Sequence, residues 1–191
     1  MRGEGNVLRI ALPDWCGEIA SAGQLFPTDE NRMGLAVRLA RENVLRGSGG
    51  PFGAAVFEQV TGRLVAMGVN SVERLHNSVL HAEMVAVMFA QAHCGCYTLN
   101  APGIPRHELH TSCEPCAMCL GALLWAGVRR VVCAAAREDA ARIGFEEGPV
   151  FPASHNYLRS RGMEIVCGVL AEQAREVLDL YAGRGGLVYN G

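Results

Sequence analysis

The chain has 191 residues, half of them apolar and 19% charged, with a formal net charge of −2 at pH 7. This describes one folded domain with a sizeable core and excludes a disordered chain. No apolar run is long enough to span a bilayer, and the near-neutral charge balance disfavours nucleic acid relative to a small, weakly charged substrate.

Taken in chain order, residues 1–28 lack sustained periodicity and contain Pro13 and Pro27; an irregular N-terminal arm is expected, with no secretory leader. Thr28 and Asp29 offer N-cap oxygens to a helix carrying Met33, Val37, Ala40 and Val44 at helical spacing, stopped by the glycines before Pro51. Residues 54–59 and 63–70 read as two strands of a hairpin around Thr61-Gly62. Helices are expected over 81–92 and 116–126, with a short strand at 108–111 between them and a buried strand at 129–134 after them. One or two short helices follow, then a last strand over 164–170 and a last helix over 171–181. Gly183, Gly185 and Gly186 form a hinge before the tail, so a domain over 29–182 and a tail over 183–191 are expected. Strands alternating with helices predict an α/β fold, a mixed sheet covered on both faces.

Eight cysteines in a chain this apolar point to a reducing, cytoplasmic setting, where thiols bind metal or fill small core gaps. Cys133 and Cys167 lie inside apolar runs and are expected in the core. His93-Cys94-Gly95-Cys96 is read as a helix end capped by Gly95, with a second metal or redox pair as the alternative.

Two strings carry the chemistry: His81-Ala82-Glu83 and Pro115-Cys116-Ala117-Met118-Cys119. Cys116 and Cys119, three residues apart on a helix, grip one ion from one face, with Pro115 suited to the first helical position. The helix start lowers thiol pKa, and His81, opening the preceding helix, supplies a third ligand. Three ligands leave a position open for water, the mark of a catalytic zinc site. A redox Cys-x-x-Cys, or a closed structural site with Cys113 as fourth ligand, are the alternatives. With an open site, zinc lowers the pKa of its bound water to about 7 and hydroxide attacks, Glu83 shuttling the proton to a substrate ring nitrogen. His-x-Glu followed by Pro-Cys-x-x-Cys resembles the signature of zinc-dependent nucleobase deaminases.

The resemblance extends through the stretch from Gly49 to Val56, then Gly68-Val69-Asn70, the residues from Thr111 to Ala126, and Gly144-Phe145-Glu146-Glu147. Together these resemble the bacterial guanine deaminases of the cytidine deaminase-like superfamily, over about residues 29–191. The resemblance implies a three-layer α/β/α sandwich around a five-stranded mixed sheet, a homodimer, one zinc per subunit, and hydrolysis of guanine at C2 to xanthine and ammonia. It implies that Asn70 bonds the purine edge near O6 and N7, that Phe52 and Trp125 shape an apolar stacking pocket, and that the Ala82 N–H reaches the base. Glu147 becomes a second proton carrier, reading the N1 and amino edge and delivering a proton to leaving ammonia. The tail is expected to cross to the partner subunit and close its site with Tyr189.

Residues 1–28 are longer than the family's usual start and 94–107 form an additional stretch; neither has a role readable from sequence. Alternatives in substrate are another amino-heterocycle, such as an aminotriazine like ammeline, or cytosine. A tRNA adenosine deaminase shares the zinc strings, and a zinc-stabilised interaction module is the non-enzyme alternative.

Overall fold

The structure, a computed structural model, describes residues 8–190. The first residues of the expected arm and the last residue of the tail lie outside that range. In chain order the elements are α1 (Cys16–Ile19), α2 (Asp29–Leu45), β1 (Gly53–Glu58), β2 (Leu64–Val69), α3 (Ala82–Cys94), β3 (His107–Cys113) and α4 (Ala117–Ala126). They continue with β4 (Arg130–Ala135), α5 (Arg137–Arg142), α6 (Pro152–Ser160), β5 (Glu164–Val166) and α7 (Ala171–Gly183). The sheet runs β2-β1-β3-β4-β5. β1 pairs antiparallel with β2 and β3, whereas β3, β4 and β5 are parallel, giving the expected five-stranded mixed sheet.

Alternation along the strands builds two cores. Ala54 and Val56 of β1 and Val131 and Cys133 of β4 pack with Ala86, Ala90, Leu120, Leu123 and Leu158 from α3, α4 and α6. The intervening Val132 and Ala134 face Met33, Ala36, Val37 and Ala40 of α2 and Val177 and Leu178 of α7. The result is helix, sheet, helix: both faces of the central strands are dry, which is why they read as apolar runs without alternation.

Local chemistry sets the element ends. Thr28 caps α2, its Oγ1 accepting from the Asn31 N–H at 3.2 Å. α3 ends at Gly95 in the left-handed region, φ 64°, so the Cys94–Cys96 stretch is a helix end.

Three expectations need correction. The N-terminal arm is not wholly irregular: α1 forms, Trp15 and Cys16 are buried against Leu35, Leu39 and Phe57, and Leu25 bridges to Arg63. The last strand stops at Val166 instead of 170, because the chain turns away at Gly168 (φ 88°), whose N–H, like that of Val169, bonds the Cys133 carbonyl. Cys167 is therefore exposed, not core, while Cys133 is buried as expected. No helix of the described residues is long and apolar enough to cross a membrane.

One buried charge network ties α2 to the sheet. Glu108, 1% exposed, accepts from Arg32, from His110 Nε2 at 2.8 Å and from Arg130 Nη1 at 3.1 Å. Arg130 also forks onto Asp29 at 2.6 and 2.9 Å. This network sits at the start of β3. The start of β1 and the ends of β2 and β3 lie together at the opposite edge, where the cavity opens.

Candidate active site

Two helix starts converge there. His81 is the N-cap of α3 and Cys116 the N-cap of α4, with Cys119 one turn further on. The sequence expectation placed Pro115 as the first helical residue; instead Cys116 is extended (ψ 173°) and the helix begins at Ala117, leaving Pro115 outside it. α3 lies tight against β2 because Gly68 has no Cβ: one would collide with the Ala82 carbonyl and the Ala86 backbone nitrogen.

His81 Nδ1 stands 3.5 Å from Cys116 Sγ and 3.7 Å from Cys119 Sγ. Tetrahedral zinc with bonds of about 2.3 Å to sulfur and about 2.0–2.1 Å to nitrogen requires sulfur and nitrogen about 3.5 Å apart. The three ligand atoms fit that ion. Cys113, weighed as a fourth ligand, is buried and points its thiol at the Ala136 carbonyl at 3.5 Å, so the closed structural site is not built. Among the described residues the other cluster of this kind, Asp29, Glu108 and His110, is occupied by Arg32 and Arg130.

The electrostatics also ask for a cation. A hydrogen bond from the Cys119 thiol brings Cys116 down to about 4 against the opposing effect of burial, with His81 assisting. Cys119, its proton committed to that bond and its sulfur buried, is pushed far up. Burial, then the Cys116 charge, raises Glu83; the same two causes and Glu83 itself bring Glu147 to about 7. Burial works against a charged His81, but its bond to Cys116 and the charges of Glu83, Cys116 and Glu147 leave it above the usual imidazole value. Two thiols and two carboxylates around one imidazole are short of positive charge, and a bound divalent ion supplies it.

Glu83 is 7% exposed. Thr111 Oγ1 donates to its Oε1 at 3.2 Å, and its Oε2 lies 3.6 Å from Cys119 Sγ. A carboxylate so placed sits beside the ion without being needed as its ligand.

His81, Cys116 and the two carboxylates open onto a cavity of about 450 Å³, a size suited to a small heterocycle, with Cys119 buried behind them. Of the residues expected to line it, Phe52, Asn70, Glu83, Glu147 and Tyr189 do so. Asn70 is fully buried; its Oδ1 accepts the Val72 N–H at 3.3 Å and its Nδ2 has no protein partner. Phe52 meets Phe145 edge-on, ring centroids 5.0 Å apart. Ala82 sits between two lining residues with its side chain in the core, at the first position of α3, where a backbone N–H has no intrahelical partner.

Trp125 is a correction. It is 83% exposed and outside the cavity. Six residues beyond Cys119 is about 240° around a helix, so it faces away from the ion.

Within the chain the tail lies over the site that the same chain builds. Tyr181 Oη donates to the Leu187 carbonyl at 2.6 Å, and Asn190 bonds the Gly144 carbonyl and Glu146 N–H, both at 2.9 Å. Tyr189 is thereby set edge-on to Phe145 at 5.1 Å and to His81 at 6.5 Å.

Sequence reasoning assigned no role to Val72, Phe145 and Asn190. The Val72 contact had a signal, since Asn side chains commonly bond a backbone N–H two residues on. The bonds of Asn190 join segments distant in sequence and had none.

An open three-ligand zinc position beside a buried carboxylate, at one edge of a mixed sheet, defines a metal-assisted hydrolase. The family of the cytidine and deoxycytidylate deaminase zinc-binding region matches residues 27–135, and the chain belongs to it. The guanine deaminase of Bacillus subtilis (strain 168) is 41% identical over 122 residues, 64% of this chain and 74% of that protein. A guanine deaminase structure from Nitrosomonas europaea superposes with a TM-score of 0.89 at 39% identity, covering 95% of this chain and 99% of the other. A related mutant in complex with 8-azaguanine gives 0.90 at 39% identity, with coverage of 95% and 99%.

Proposed function

We propose that this chain is a zinc-dependent guanine deaminase, hydrolysing guanine to xanthine and ammonia. The observation that carries the reading is Asn70. Its oxygen is held by Val72, so the side chain offers the cavity a donor, Nδ2, that nothing in the protein satisfies. A 6-oxopurine supplies the matching acceptors, O6 and N7, and an amide left unpaired there costs about 1–3 kcal/mol. The similarity to guanine deaminases, and to a structure holding an analogue of guanine, supports the same substrate.

His81, Cys116 and Cys119 hold the zinc, which supplies Lewis acidity that makes water a nucleophile near neutral pH. Glu83 takes the proton of the attacking water and delivers it to a ring nitrogen next to C2. Glu147 faces the N1 and amino edge and returns a proton to the departing ammonia. Phe52 stacks on the base, the Ala82 N–H bonds its edge, and Tyr189 closes the cavity over it. The catalytic unit is residues 29–182, with 183–191 as its cover.

We assign the solution state as a homodimer. Leu120 and Leu124 of α4, with Val150 and Tyr157, line an apolar groove, and Trp125, Phe151 and Tyr157 stand exposed around it. A single chain leaves these aromatics in water. The described free thiols suit a reducing, cytoplasmic setting.

The test is ammonia release by zinc-loaded protein on guanine, cytosine, adenine, guanosine and ammeline. Guanine should give the highest kcat/KM. A preference for ammeline or cytosine would move the substrate within the family. Tight, steeply salt-dependent tRNA binding would replace the reading.

A further inference from the structure

We propose that Asn43 is a positioning residue for substrate selection, acting through Asn70 and Gly50, with Trp15 and Ser48 as its outer support. The inference rests on guanine as substrate and gives part of the N-terminal arm a role.

Asn43 lies within α2 and is fully buried, an unfavourable place for an amide unless its bonds are made. They are. Its Nδ2 donates to the Gly50 carbonyl at 2.8 Å and to the Asn70 carbonyl at 2.9 Å. Its Oδ1 accepts from Ser48 Oγ at 2.8 Å, and Ser48 Oγ accepts from Trp15 Nε1 at 3.3 Å. Neither Asn43 nor Trp15 lines the cavity.

What the clamp holds is the substrate-facing amide. The Asn70 carbonyl is fixed by Asn43, its N–H donates to the Phe52 carbonyl at 3.0 Å, and its Oδ1 is fixed by Val72. Only Nδ2 is left without a partner. Gly49 allows the close approach: a Cβ there would collide with the Asn70 carbonyl and stand 2.8 Å from Asn43 Nδ2. Gly50, the other carbonyl in the clamp, lies directly beneath Tyr189, whose hydroxyl a Cβ would strike. One amide therefore sets both the donor that reads the purine and the backbone on which the covering ring rests.

A merely structural role would weaken every substrate alike; a positioning role is selective. 2-Aminopurine keeps the amino group at C2 and the N7 acceptor but has no oxygen at C6 and no hydrogen on N1. The lost N1–H, which faces Glu147, is common to wild type and variant, so a change in relative binding between them reports the O6 contact that Asn70 supplies. The readout is the competitive inhibition constant of 2-aminopurine divided by the KM for guanine, measured on zinc-replete protein. Competition reports this constant whether or not 2-aminopurine is itself turned over, and wild-type turnover of guanine tests the underlying reading separately.

Asn43→Leu, which keeps the bulk and removes both donors, should lower this ratio about tenfold, mainly through guanine's KM. Ser48→Ala and Trp15→Phe should each lower it by about two- to fivefold, with zinc content unchanged. An unchanged ratio in Asn43→Leu overturns the proposal, whatever happens to thermal stability. If that variant yields no folded protein, the ratio in Ser48→Ala decides in the same way.

Discussion

The Ala117 N–H donates to the Glu147 carbonyl at 3.0 Å, so the first residue of the helix that carries Cys119 also holds the loop that carries Glu147. The ion and the second acid are thus built as one unit. Glu147→Ala is expected to cost about 10²–10⁴ in kcat/KM, while Glu146→Ala, an exposed neighbour, costs no more than about threefold. Glu147 is raised by burial, then by Cys116 and Glu83, to about 7, and the charge of a bound zinc ion would draw it back toward its ordinary value. It works as a carboxylate, so kcat/KM should fall as pH drops through that interval. Glu83, raised in the same direction, adds a second proton to this limb. Glu147→Ala should leave a limb of slope near one where wild type approaches two. Equal losses in the two alanine variants would remove Glu147 from the mechanism.

Zinc binding should release protons. Without the ion Cys116 is already a thiolate, at about 4, whereas Cys119 keeps its proton. Ligation at pH 7 therefore expels about one to two protons per zinc, the remainder coming from His81, which is raised above its usual value. Calorimetry in buffers of different ionisation enthalpy measures this number. A binding enthalpy independent of buffer would contradict the charge arrangement described.

Acid should destabilise the fold from a site remote from the ion. Burial tends to raise Glu108, but hydrogen bonds from His110 and Arg32 hold it below the ordinary carboxylate value. Asp29 is lowered by its bond to Arg130, against the opposing effect of burial. For depressed carboxylates the stabilisation is complete above the unfolded pKa, near 4, and is lost as pH falls through the lower folded value. Urea midpoints should drop steeply below about pH 4 in wild type and less so in Glu108→Gln. At pH 7 that variant should lose about 3–5 kcal/mol, because buried Arg32 loses its counter-charge, whereas Arg130 keeps Asp29. Parallel acid curves would place the sensitivity elsewhere.

Removing residues 187–191 takes away Tyr189 and both Asn190 bonds while leaving the ligands in place. The KM for guanine should rise about tenfold or more with zinc content unchanged. Steady-state kinetics on the truncated chain check this; an unaltered KM would mean that the tail does not cover bound substrate.

The ligand set was legible in the sequence because it is local: Cys116 and Cys119 are bound by helical spacing, and His81 and Glu83 flank one helix start. The sheet followed from apolar runs at Val56, Val132 and their neighbours, which are dry on both faces. Trp125 was misplaced because an aromatic in an apolar helix does not reveal which face it occupies; helical phase from Cys119 settles that. Cys167 was misplaced because a strand-like run does not show where a left-handed glycine, Gly168, ends the pairing. The contacts of Asn43 with Asn70, and of Asn190 with Gly144, join segments far apart in the chain and leave no periodic trace.

The account turns on water activated at a three-ligand zinc site with Glu83 as its proton carrier. The direct measurement compares ammonia released from guanine by wild-type and Glu83→Gln proteins, each verified to hold one zinc per chain. The prediction is stoichiometric xanthine and ammonia from wild type and a loss of about 10³-fold or more in the variant at equal zinc content. Zinc-replete wild type that releases no ammonia from guanine, or a Glu83→Gln protein that keeps wild-type turnover, would contradict it.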